Sequence, residues 1–494
     1  MGWVGSTDVP GGIMRLFTTA AQLRPIPRST RFANGGVSHW FRDTGVPERR
    51  APLPADADYD VCVVGAGYTG LWTAYYLKKD QPDLRVCVIE REFAGFGASG
   101  RNGGWLSAEF AGSRESYAQS HGKSAMVALQ RGLMTTVDEV LSVAEAEGID
   151  ADQVKGGMYL VAGNEAQRAR LQGHIEYLQD WGYWPDDFHM VDSDETPRIA
   201  VRDAVAAGYT PHAARLNPAK LVTGLARVVE GLGVDLFEGT TVEEIRPRQG
   251  AERPAVVTDH GTVRADHVVR ATEGFTGTLR GQSRRWRPMH SSMIVTEPIP
   301  DPLWKGIGWE GGEVLGDAAH SYVYAQRTTD GRIAIGGRGT PRRPGASSGD
   351  EGATQPHAIV ELWRALTRMF PEMADVPVEH AWSGVLGVPK DWSPTVHLDT
   401  ESGLAWAGGY AHSGVSTSNM AGRTLRDLVL GRSTDLTRLP WVGHEAGGWE
   451  PEPLRWVGTQ IVNGLYRTAD RREARSSGKG TSRLAGIATR MPGR

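Results

Sequence analysis

Cysteine is the scarcest side chain here: only Cys62 and Cys87 occur in 494 residues. Both fall on predicted core strands, so they read as small buried hydrophobes. That argues against a disulfide framework, a cysteine metal site or a cysteine-tethered cofactor, and it fits a reducing cytoplasm, the expected location. Long apolar runs are missing too. None reaches the roughly 18 residues of a membrane span, and the nearest, Val61 to Leu77, is broken by glycines. Arg49–Arg50 lead into Pro52, Pro54, Asp56 and Asp58, which removes a twin-arginine signal. There is no CxxC, HExxH or acidic calcium loop, and the fourteen histidines are scattered, so no metal is expected. A net charge of −4 gives no reason to expect nucleic acid. No internal repeat is visible.

What is present is concentrated between residues 61 and 104. The β-branched run Val61–Val64 enters a turn, Gly65, Ala66, Gly67, Tyr68, Thr69 and Gly70, that opens a helix. The first glycine permits the turn and the second lets a pyrophosphate approach the backbone. The third lets the helix pack on the strand with its first amides aimed at the phosphates. A second strand, Arg85–Ile89, ends on Glu90 and Arg91. Twenty residues separate Gly70 from Glu90, the distance expected of the acid that binds a ribose hydroxyl. A plain crossover does not follow. The chain instead runs through Gly95, Gly97, Ala98, Ser99, Gly100, Arg101, Asn102, Gly103, Gly104 and Trp105, a backbone suited to lie flat on a large planar ligand and its phosphates, with Arg101 and Asn102 as donors.

This block, GFGASGRNGGW, closely resembles the flavin-contacting loop of the FAD-dependent glycine/D-amino-acid oxidase family, most of all its γ-glutamylputrescine oxidase-like branch. The resemblance spans most of residues 38–466. It implies non-covalent FAD, with Val242 near the adenine and Thr272 near the flavin phosphates. Relatives carry Gly or Asn where this chain has Glu273, which argues against a close flavin contact there.

The fold class expected is α/β, a Rossmann-type FAD-binding domain interleaved with a substrate domain on a large mixed sheet. The FAD domain takes residues 58–110, 212–285 and 381–432, and the substrate domain 111–211 and 286–380. Residues 1–57 read as an arm lying over the fold, and 433–494 as an extension with a solvated, partly disordered basic tail. Helices are predicted over 121–146 and 166–181, and after the Asn217 cap and Pro218.

A second block, GLAWAGGYAHSGVSTSNMAGRTLRDLVLG (403–431), predicts a strand, a turn at Gly408–Gly409 and a helix opening near Ser416. Gly409, Ser413, Gly414, Val415 and Ser416 would face the pyrimidine edge of the flavin, where helix-opening amides favour negative charge. His412 in this turn reads either as a proton shuttle or as a turn residue. Tyr324 lies in a segment that lines the cavity in relatives and reads either as a substrate-facing group or as packing. Arg327 and Arg338 lie in the same segment, and each reads either as a partner for a substrate carboxylate or as a structural ion-pair partner. The activity implied is oxidation of a C–N bond in an amine or amino acid, with oxygen as acceptor. The alternatives are a dehydrogenase of an amine or hydroxy acid using another acceptor, and a flavin-binding subunit active only in a complex. Oligomeric state is left open.

Overall fold

A strand that is apolar on both faces belongs inside a parallel sheet, and Val61–Val64 lies there. The computed structural model describes residues 26–191, 199–338, 352–475, 478 and 480–489. Strand Ala57–Val64 runs parallel to Val86–Ile89 on one side and to Thr262–Arg270 on the other. Cys62 and Cys87 are register neighbours, fully buried and unbridged. Asp235–Phe237 extends this sheet on one side. On the other, Thr262–Arg270 pairs antiparallel with Ala255–Thr258 near its start and parallel with Leu404–Gly408 at its end. Eight strands make this nucleotide sheet.

A second, nine-stranded mixed sheet is built around the long antiparallel pair Arg287–Thr296 and Val378–Val388. Helices Lys123–Ala146 and Glu165–Asp180 form where the periodicity predicts them. Asn217 accepts from the amides of Ala219 and Lys220 and starts helix Pro218–Gly231, a cap worth about 1 kcal/mol. Helices Tyr68–Asp80 and Gly414–Val429 pack directly on each other. A Cβ on Gly422 would lie 2.7 Å from that of the buried Trp72, so the missing side chain sets their approach. No helix among the described residues is long and apolar enough to cross a membrane.

Three parts differ from the sequence reading. Residues 28–34 of the supposed arm form an edge strand parallel to Val378–Val388, and the short helix after it buries His39, Trp40 and Phe41. Its sequence, RSTRFAN, is polar because one edge faces outward, so it lacks the alternation that marks a strand. Residues 1–25 lie outside the described residues. Second, Val378–Val388 pairs fully within the nine-stranded sheet, so the chain returns to the nucleotide sheet at Thr395–Asp399, not at 381. Gly384 and Gly387 disguise the strand. They are needed because Arg101 and the Glu273 carbonyl pack against them. Third, the tail starts as helix Leu454–Glu473, with Ala469 and Glu473 buried, and a further helix spans Arg483–Thr489.

Candidate functional site

The two glycine blocks, some 340 residues apart, open on one cavity of about 460 Å³, a size typical of ligand sites. At Gly65, φ is +107° and a Cβ would fall 2.6 Å from the Ala271 carbonyl, so only glycine fits. Helix Tyr68–Asp80 starts at Gly67, which has no side chain to cap it, and Ser99 Oγ accepts from the Tyr68 amide at 2.8 Å. Helix Gly414–Val429 starts uncapped, at Ser413, whose buried Oγ has no partner among the described residues. Two helix N-termini therefore point partial positive charge at one cavity.

Most of the anticipated residues line it: Gly65, Gly67, Tyr68, Thr69, Glu90, Arg91, Gly97, Ala98, Ser99, Arg101, Asn102, Gly103 and Trp105, with Val242, Thr272, Tyr324, His412, Gly414 and Val415. Six do not, and each is a support. The Ala66 amide donates to Glu90 Oε2 at 2.9 Å. Gly70 packs beneath the turn, where a Cβ would be 2.0 Å from the Gly65 oxygen. Gly104 is pressed against Gln326 and the Leu216 carbonyl. The Gly409 amide is given to Glu273 Oε2 at 2.9 Å. Ser413 is buried at the helix start, and the Ser416 hydroxyl donates to the Ser107 carbonyl at 2.5 Å.

The expected phosphate donors of the second loop are also used differently. Arg101 donates to the carbonyls of Phe96 (2.8 Å) and Gly36 (2.9 Å). Asn102 donates to the Ser99 carbonyl and accepts from the Gly104 amide, each at 2.8 Å. Both hold the loop in shape. Arg327 donates to the Trp309 carbonyl at 2.6 Å and lies over Trp304, away from the cavity. The side chain of Arg338 lies outside the described residues.

Glu90 Oε1 accepts from the Glu92 amide at 3.0 Å while Oε2 holds the phosphate turn. Burial raises its pKa and those amides pull it back. Glu273, set aside on the sequence, lines the cavity. Its φ is +38°, and its carboxyl is pushed up to about 7 by burial, against the pull of the Gly409, Gly387 and Tyr410 amides and of Arg270. It ties the turn after Arg270 to the turn at Gly408–Gly409.

Sequence reasoning missed the polar and aromatic groups of the far wall. Tyr410 Oη lies 3.0 Å from Thr69 Oγ1, joining the two glycine blocks. Ser291 and Tyr324 share a 2.5 Å hydrogen bond between strands of the larger sheet. Tyr324 is held neutral by burial. The Tyr322 ring meets His412 edge-on at 6.1 Å. His290, Trp392 and Glu109 complete this wall. Tyr410 was visible inside GGYAHSG. Ser291 had no local signal, because the sheet pairing brings it there.

The glycine cradle, the two helix starts at the cavity and the Glu90 carboxylate fit a dinucleotide cofactor with an anionic pyrophosphate and an electron-poor ring. Comparisons agree. A family model described as FAD dependent oxidoreductase (DAO) matches residues 60–428. A probable oxidoreductase OrdL of Rhizobium meliloti is 29% identical, covering 81% of this chain and 90% of its own. A gamma-glutamylputrescine oxidoreductase of Escherichia coli is 27% identical over 75% of this chain and 84% of its own. Among solved structures, glycine oxidase from Geobacillus kaustophilus has the same fold, with a TM-score of 0.64, 23% identity, and coverage of 78% of this chain and 99% of its own.

Proposed function

Because the chain belongs to the FAD-dependent oxidoreductase family, we propose that it oxidises the C–N bond of an amine or amino acid and passes the electrons to oxygen. Relatives named gamma-glutamylputrescine oxidoreductase and glycine oxidase support the substrate class. The observation that carries the reading is the joined cavity: a phosphate turn at one end, and at the other a wall of Tyr322, Tyr324, Trp392 and His412 against the uncapped helix at Gly414.

Bound FAD supplies the hydride acceptor. Gly65, Gly67 and the N-terminus of helix Tyr68–Asp80 would hold its pyrophosphate, and Glu90 would accept from its ribose. No cysteine lines the cavity, which supports non-covalent attachment, and the two buried thiols support a reducing cytoplasm. The aromatic wall keeps water from the substrate carbon. The amine must be neutral before its C–H bond breaks, and it can lose that proton to solvent, so no residue is required as base. Loss of hydride leaves an iminium, which water converts to a carbonyl and free amine. Oxygen takes up the two electrons with two protons, giving hydrogen peroxide. Glu109 lines the same cavity and makes no hydrogen bond or ion pair among the described residues. Its charge favours a substrate with a second cationic group.

The test is anaerobic bleaching of the purified yellow protein by amines, γ-glutamyl polyamines, N-methyl and D-amino acids. An amine should bleach it faster as pH rises, and more slowly when deuterated at the carbon bearing nitrogen. Readmitted air should restore the colour quickly. Slow return indicates another acceptor. Bleaching by a hydroxy acid alone refutes the C–N assignment, and binding of FAD without turnover by the isolated chain indicates a subunit of a complex.

A further inference from the structure

Helix Leu454–Glu473 begins beyond residue 428, where the family match ends, yet it bonds to the loop that carries one residue of the wall assigned above to the substrate. Between strands Val314–Asp317 and Val323–Arg327 the chain makes a short loop carrying Tyr322, which lines the cavity beside His412. Helix side chains hold that loop from outside. Asp470 Oδ1 accepts from the His320 amide at 2.8 Å, and Oδ2 from the Ser321 amide at 2.9 Å. The His320 ring stacks on Tyr466 at 5.6 Å, and its Nε2 lies 3.1 Å from Glu473 Oε1. Glu473, only 3% exposed, also accepts from the Ser482 amide at 2.8 Å and pairs with Arg170, which donates in turn to the Ala318 carbonyl.

His320, Asp470 and Glu473 together have the spacing of a metal-ligand set. The chemistry around them favours a clamp instead. Both Asp470 oxygens are occupied by backbone amides, and the Arg170 guanidinium already supplies the positive charge that Glu473 needs. One carboxylate fixes the two amides just before Tyr322, so the loop that places Tyr322 is tied to Asp470.

We propose that helix Leu454–Glu473 is a clamp that holds Tyr322 in place for the substrate, with Asp470 as its positioning residue. The C-terminal extension is thereby part of the substrate site. This rests on reading that wall as the substrate's, and the test separates the two. In full-length, FAD-loaded Asp470→Ala, the amides of residues 318–322 should exchange hydrogen at least tenfold faster by mass spectrometry. KM for the best amine should rise about tenfold, with kcat within twofold and FAD content unchanged. Asp470→Asn keeps one of the two acceptors and should fall between, and it carries the test if the alanine variant does not fold. Unchanged exchange overturns the clamp. Faster exchange with unchanged KM overturns its role toward substrate, as does a parallel loss of KM, kcat and FAD. Wild-type protein that no amine bleaches overturns the amine reading and, with it, the link to substrate, while amide exchange still decides the clamp.

Discussion

Replacing Glu273 by glutamine should make the protein's stability less sensitive to pH. Its carboxyl is pushed from 4.5 to about 7 because the folded chain encloses it more than four hydrogen-bond and charge partners compensate. Each pH unit of such a shift corresponds to about 1.36 kcal/mol, so the total is about 3 kcal/mol. The sign follows from proton uptake. The folded state holds this proton more tightly than the unfolded state, so its contribution is complete below pH 4.5 and is lost as pH climbs through about 7. Glutamine cannot ionise, and its side-chain oxygen can still accept from the Gly409 amide, as Glu273 Oε2 does. Near pH 5 the variant and wild type should differ by less than about 1 kcal/mol, the scale of one neutral hydrogen bond. Between pH 5 and 8 the variant should gain about 2.5 kcal/mol relative to wild type. Urea unfolding at both pH values, with FAD in the same excess, measures this difference. A difference that stays constant would show that Glu273 is not the enclosed acid described here.

Glu90→Ala should weaken FAD by about 1.5–3 kcal/mol, the scale of hydrogen bonds to a charged acceptor, in fluorescence titration of the apoprotein. Unaltered affinity would reduce Glu90 to a brace for the Ala66 and Glu92 amides. Glu109→Gln should raise KM about fivefold for a diamine and leave a monoamine of equal length unchanged, as expected of an ion pair worth about 1 kcal/mol. Equal changes for both amines would remove Glu109 from substrate recognition.

The parts legible in the sequence were those set by contacts close along the chain. The strand–turn–helix at Val61–Asp80 and the acid at Glu90 form a local unit, and the Asn217 cap needs only its own helix. Gly408–Gly409 was legible as a turn, but its partner Glu273 was not, because 136 residues separate the carboxylate from the Gly409 amide. The same holds for Ser291, brought beside Tyr324 by strand pairing. Arg101 and Asn102 were read as ligand donors from their residue types, yet the carbonyls of Phe96, Gly36 and Ser99 lie nearer to hand. The edge strand Arg28–Asn34 had no pattern to detect, since its register comes from Val378–Val388.

Strand Thr262–Arg270 lies between one neighbour made near the start of synthesis, Ala57–Val64, and another made near its end, Leu404–Gly408. At about 5–20 residues per second, a ribosome finishes the second glycine turn tens of seconds after the first. Throughout that interval the nascent nucleotide sheet lacks its last parallel strand and the helix that packs on Trp72. The cavity then lacks the wall made by Tyr410, His412, Gly414 and Ser418, so the whole FAD site is complete only on chains made past Ser418. Cofactor supply therefore acts fully only on nearly finished chains.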